Sequence, residues 1–185
     1  MLRTNGGRVY NKQTWEMMPD RAMNPHEFYR WVQSQTRKHN VITRLTRSDI
    51  VKYKDPDTNE KHEVCGWFSE PVDDDPGRIM VAYGHGEIEW LGTMAHEYVH
   101  FLQWLAWGEK TWNDPIWEHD DMIIELECQT EKHAALILES AGLLHSNMVR
   151  NSEVYCKMMH DHDEFFDEPS DFNAEEGWWL NNANV

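Results

Sequence analysis

Residues 87–107 carry apolar side chains at helical spacing along their whole length. Leu91, Ala95, Tyr98, Leu102 and Leu105 repeat every three or four positions. Trp90, Met94, Phe101 and Trp104 make the flanks apolar as well, and a helix that is apolar nearly all round is a buried one. Three ionisable residues, His96, Glu97 and His100, nevertheless sit in its middle. Burying such groups is costly unless something pairs them.

The rest of the chain divides by period and by breakers. Asn24-Pro25 is an N-cap followed by proline at the first helical position, and predicts a helix to about Lys38 with Phe28, Trp31 and Val32 inward. Residues 41–53, rich in Val, Ile, Thr and Tyr, read as a strand. Asp55-Pro56-Asp57-Thr58-Asn59 is a turn, and residues 62–69 complete a hairpin. Glu70 to Gly77 reads as a solvated acidic loop; Asp73, Asp74 and Asp75 alone do not define a calcium site. Ile79 to Tyr83 is a third strand, broken at Gly84-His85-Gly86 before the buried helix. After a loop at 108–113, Asp114-Pro115 caps a helix from about Ile116 to Ala141, stopped at Gly142. A last helix covers roughly Ser146 to His160. The order α, β, β, β, α, α, α predicts an α+β fold, a small three-stranded sheet packed on a helical core. Residues 1–163 read as one domain and 164–185 as an acidic tail with Phe165, Phe166, Phe172, Trp178 and Trp179.

Composition narrows the class. A chain of 185 residues with 40% hydrophobic and 12% aromatic residues can bury a real core. A formal charge of −16 argues against nucleic acid as a partner, because phosphates would be repelled. No stretch reaches the 18 apolar residues of a membrane span, and the N-terminus shows no apolar signal-peptide core, so a cytoplasmic location is expected. Cys65, Cys128 and Cys156 form no C-x-x-C pair and read as reduced thiols.

The three ionisable residues spell His96-Glu97-Tyr98-Val99-His100, the H-E-x-x-H pattern of zinc hydrolases. On a helix, His96 and His100 project from one face and reach one ion, while Glu97 lies about 100° round. Glu97 is thus the candidate general base. A catalytic zinc takes three protein ligands and keeps a fourth position open. The following helix offers Glu125, Glu127 and Glu131. Glu127 and Glu131 are four apart on one face, so one can ligate while the other orients an imidazole.

H-E-Y-V-H followed by the helix E-L-E-C-Q-T-E-K-H-A-A-L-I-L resembles a minimal gluzincin-type metallopeptidase, similar to compact domains of phage proteins and of mobile-element regulators. The resemblance covers roughly residues 78 to 140, about a third of the chain. It implies a zincin-like fold with the H-E-x-x-H helix central, one catalytic zinc, and a peptide or protein substrate. The family pattern Glu-x-Glu-Ala places its first glutamate at Glu125 and its ligand at Glu127, with Cys128 in place of the alanine. Glu131 falls where larger gluzincins carry an aspartate that supports a zinc histidine. The implied ligands are His96, His100 and Glu127, with Glu131 as supporting residue or alternative ligand. The family also implies a sheet edge for an extended substrate, assigned here to Ile79–Tyr83.

Amide hydrolysis also needs an oxyanion donor. His85, His119, His133, Tyr83 and Tyr98 are the candidates. Two other readings keep the metal. A deformylase-like hydrolase would recruit Cys65 as a ligand, but the glycine-rich element of those enzymes is missing and a small buried residue is the plainer account of Cys65. A non-enzymatic interaction protein with a structural or vestigial zinc site would need a fourth ligand, with His160-Asp161-His162-Asp163 as the candidate run.

Overall fold

A computed structural model describes residues 17–54, 59, 61–107 and 120–161 of the chain. The N-terminal residues, the loop at 108–113, the cap at Asp114-Pro115, His119, His162, Asp163 and the acidic tail lie outside the described residues.

Helix α1 (Pro25–Arg37) begins as its sequence dictates. The Asn24 side chain accepts from the Glu27 N–H at 3.0 Å, and the Glu27 carboxylate accepts from the Asn24 N–H at 2.9 Å. This reciprocal box satisfies two donors that the first turn leaves without partners. The helix buries Phe28, Val32 and Thr36.

The two long strands expected at 41–53 and 62–69 are each divided in two. Strand β1 (Val41–Thr46) ends at a bend where the Ser48 N–H meets the Thr46 carbonyl, and β2 (Val51–Lys54) leaves in a new direction. Strand β3 (Lys61–Val64) pairs with β2 as an antiparallel ribbon, with Val51 opposite Val64. At Cys65 the chain changes partner: the Cys65 carbonyl accepts from the Ala82 N–H at 2.7 Å, and β4 (Gly66–Ser69) pairs with β5 (Gly77–Ala82). Each long apolar run therefore serves two sheets, a division that local propensity does not encode. Tyr53 stacks on Trp67 at 5.1 Å and ties the ribbon back to β4.

The main sheet has the order β1-β5-β4, with β1 parallel and β4 antiparallel to β5. Strand β5 is therefore central. Both its edges are paired, so the assignment of Ile79–Tyr83 to substrate pairing is corrected. Its apolar run fits that position, with Ile79 and Val81 fully buried.

Helix α2 (Glu87–Trp107) runs through the centre of the molecule. Met94, Tyr98, Phe101 and Leu102 are fully buried in one core with Phe28 and Val32 of α1, Ile79 and Val81 of β5, and Ile137 and Leu138. Helix α3 (Asp120–Ser140) ends as expected at Gly142, whose φ of 68° is the left-handed conformation that glycine adopts freely. The Leu143 N–H returns to the Leu138 carbonyl at 2.8 Å and closes the end of the helix. Helix α4 (Ser146–Asp161) then folds back against α3. The architecture is α+β, with a three-stranded sheet and a two-stranded ribbon beside four helices among the described residues. Among them no helix is long and apolar enough to cross a membrane.

Candidate metal centre

Helical spacing puts the rings of His96 and His100 on one face of α2, with centroids 4.7 Å apart. Helix α3 lies alongside and delivers Glu127 between them. The His96 and His100 Nε2 atoms are 3.0 Å apart. Glu127 Oε2 lies 3.2 Å from His96 Nε2, and Oε1 lies 3.4 Å from His100 Nε2. Nitrogen and oxygen ligands about 2.0–2.1 Å from a tetrahedral zinc are separated by roughly 3.3 Å, so the spacing fits an ion. His96, His100 and Glu127 form a group that can hold a metal.

The far side of each ring is held as well. His96 Nδ1 lies 2.7 Å from Glu131 Oε1. A carboxylate only accepts, so Nδ1 carries a proton, and in the neutral ring that a metal requires it is Nε2 that presents the lone pair. The other Glu131 oxygen accepts from the Ser152 hydroxyl of α4. His100 Nδ1 donates to Gln103 Oε1 at 2.8 Å. The Thr130 hydroxyl donates to the Leu126 carbonyl at 2.8 Å and so accepts from Gln103 Nε2 at 2.8 Å. That chain turns the amide oxygen of Gln103 toward His100. Fixing the outer nitrogen of a histidine is how proteins orient metal ligands.

Burial and charge act against each other here. Burial disfavours protonation of His96, but the hydrogen bonds and charges of Glu127 and Glu131 outweigh it and raise its pKa well above the ordinary value. Burial works against the Glu127 carboxylate, yet His100 and His96 hold its pKa well below the usual range. Glu131 is lowered for a similar reason, with His96 and Ser152 overcoming burial. Glu97 moves the other way. It is 7% exposed, and burial raises its pKa.

Glu97 lies on the β4 side of α2. A Cβ added at Gly66 would come 2.7 Å from Glu97 Oε1 and would also strike Thr93, so only glycine lets the β4 backbone pass this close to the carboxylate. Gly66, Glu97, the three metal-binding candidates and Tyr155 line one cavity of about 940 Å³.

The other expected residues fall elsewhere. Glu125 is exposed and accepts from Gln129 Nε2 at 3.0 Å. Tyr98 is buried in the core and donates to the Met17 carbonyl at 2.9 Å. Tyr83 is 45% exposed at the end of β5. His85 lines the cavity, but its Nε2 is 2.6 Å from the Asp49 carbonyl. His133 does not line the cavity, and burial lowers its pKa to about 4. Cys65 lines the cavity and is exposed, not buried as expected, and it stands outside the metal-binding group. His160 lies with Nε2 4.0 Å from Cys128 Sγ, also apart from that group.

Two residues that sequence reasoning missed complete the centre. The Tyr155 hydroxyl donates to Glu127 Oε2 at 3.2 Å, its ring standing edge-on to His96. Burial and Glu127 both raise its pKa, so the phenol keeps its proton. Ser152 stands one turn earlier on α4. Their spacing of three marks a shared helix face and nothing more.

No protein-family model, curated protein or solved structure matches the chain.

Proposed function

We propose that the protein is a zinc-dependent metallopeptidase of the zincin-like, gluzincin type. The observation that carries this reading is the convergence of three ligand atoms, with both histidines locked through Nδ1 and a buried carboxylate on the same helical turn. Three protein ligands opening on a cavity match a catalytic zinc site, whereas structural sites take four.

A bound zinc ion supplies Lewis acidity that polarises the scissile carbonyl and acidifies water. His96, His100 and Glu127 would hold it. Glu97 takes the proton of the attacking water and passes it to the leaving amine. Burial raises the Glu97 pKa, which strengthens it as a base. Tyr155 stabilises the oxyanion; its protonated hydroxyl on the cavity wall beside Glu127 supports this role. The outer edge of β4 takes the substrate as an added strand. Its single strand partner among the described residues and the contact of Gly66 with Glu97 support that choice.

The test is a peptide-library assay with zinc-loaded wild type and Glu97→Gln protein. Cleavage by wild type and its loss in the variant, at equal zinc content, support the reading. No cleavage by zinc-loaded wild type, or equal cleavage by both proteins, overturns it.

A further inference from the structure

The cavity extends beyond the metal centre, and its chemistry changes along the way. Three helices line it in step. Helix α2 contributes Ile88, Gly92 and His96, each four residues apart. Helix α3 contributes Glu127, Glu131, Ala135 and Leu138 on one face. Helix α4 runs the opposite way, because Tyr155 bonds Glu127 and Ser152 bonds Glu131; Met148 follows, and Leu144 stands in the turn before the helix. At the metal end the lining is His96, Glu127, Glu131, Ser152 and Tyr155. One helical turn away, about 5.4 Å, it becomes Gly92, Ala135 and Met148. A further turn reaches Ile88, Leu138 and Leu144.

Gly92 is the informative residue. A glycine inside a helix is unfavourable relative to alanine. At Gly66 a side chain is forbidden by contact. At Gly92 a Cβ would meet no atom within 4 Å. Neither packing nor backbone conformation calls for glycine there, and the missing side chain leaves space that opens into the cavity. The neighbouring residues Thr93 and Glu97 turn toward β4, as their contact with Gly66 requires. The slot therefore belongs to the α2–α3–α4 side.

We propose that this slot binds one large apolar side chain of a polypeptide substrate, next to the bond that is cleaved, and that Gly92 and Ala135 set its size limit. The inference rests on the metallopeptidase reading above. Leu, Met and Phe have the length and chemistry to fill the space between Gly92, Ala135 and Met148, displacing water from the exposed Leu144.

The experiment compares zinc-loaded wild type, Gly92→Leu and Ala135→Leu on peptides varied at each position around the cleaved bond. Wild type should favour Leu, Met or Phe over Ala or Asp at one position by at least roughly tenfold in kcat/KM, the scale set by one methylene in an apolar pocket. Each variant should lose that preference, the ratio of kcat/KM for the Leu peptide to that for the Ala peptide falling to about threefold or less. Helix propensity favours Leu over Gly, so Gly92→Leu should fold. Ala135→Leu, on another helix, gives an independent reading.

A second readout needs no turnover. The methyl resonances of Ala135, Leu138 and Met148 should shift on adding 4-methylpentanohydroxamate and stay in place with acetohydroxamate. Cleavage by wild type without an apolar preference, or variants that keep it, would overturn the slot and leave the metallopeptidase reading standing. Shifts equal with both hydroxamates would do the same. Failure of zinc-loaded wild type to cleave any peptide overturns the metallopeptidase reading, and the slot falls with it.

Discussion

Glu131 holds the Nδ1 of His96 at 2.7 Å, and this contact decides which ring nitrogen faces the metal-binding group. Two glutamates of α3 thus divide the work, Glu127 meeting the inner nitrogens and Glu131 the outer one. Glu127→Ala should abolish tight zinc binding. Glu131→Ala should retain a site weakened about 10- to 100-fold, the usual effect of losing the partner of a ligand histidine. Competition with a zinc-binding dye measures both. Equal affinities for the two variants would refute the division.

Glu97→Gln preserves size and hydrogen bonding but cannot take a proton from water. The variant should bind one zinc with wild-type affinity and lose activity by about 10²-fold or more. Zinc stoichiometry by atomic absorption, measured on the same sample as the rate, separates loss of the base from loss of the metal.

Tyr155→Phe removes one hydroxyl from the cavity wall and one hydrogen bond to Glu127. In the oxyanion role proposed for it, loss of the Tyr155 hydroxyl should lower kcat by about 10²-fold with little change in KM. A fall in zinc affinity with unchanged kcat at saturating metal would instead make it a support for Glu127.

Gly66→Ala drives a methyl group into Glu97 and Thr93. Overpacking of this kind costs about 1–3 kcal/mol, read as a lower midpoint in urea. Since the clash falls on Glu97, the proposed base, and not on His96, His100 or Glu127, activity should drop while zinc affinity holds.

The metal-free protein should show a stability maximum between two titrations. The pKa of His96 is raised above 6.5, so its contribution is full below that value and is lost as pH rises through the folded-state pKa. Glu127 and Glu131 are lowered below 4.5, so theirs is full above that value and is lost as pH falls through the folded-state pKa values. Urea denaturation of chelator-treated protein across pH should trace both limbs. Zinc must displace the His96 proton, so uptake at neutral pH should release protons into weak buffer. Uptake without release would contradict the raised pKa.

Several features were legible in the sequence because their causes are local. The Asn24-Pro25 start, the stop at Gly142 and the helix carrying His96, Glu97 and His100 each follow from neighbouring residues. So does the shared face of Glu127 and Glu131, which a spacing of four makes obligatory. Local composition marks 41–53 and 62–69 as extended, yet nothing local marks that each breaks and pairs twice.

Tertiary structure decided the rest. It put β5 in the middle of the sheet and left the β4 edge beside Glu97. It set the axial offset of α2 against α3, and with it which glutamate meets which nitrogen. It brought Tyr155 and Ser152 from α4 to partners 28 and 21 residues away in sequence. Helical period fixes which residues share a face. The offset and facing of two helices depend on how their apolar surfaces interlock with every other element, and no single segment contains that information.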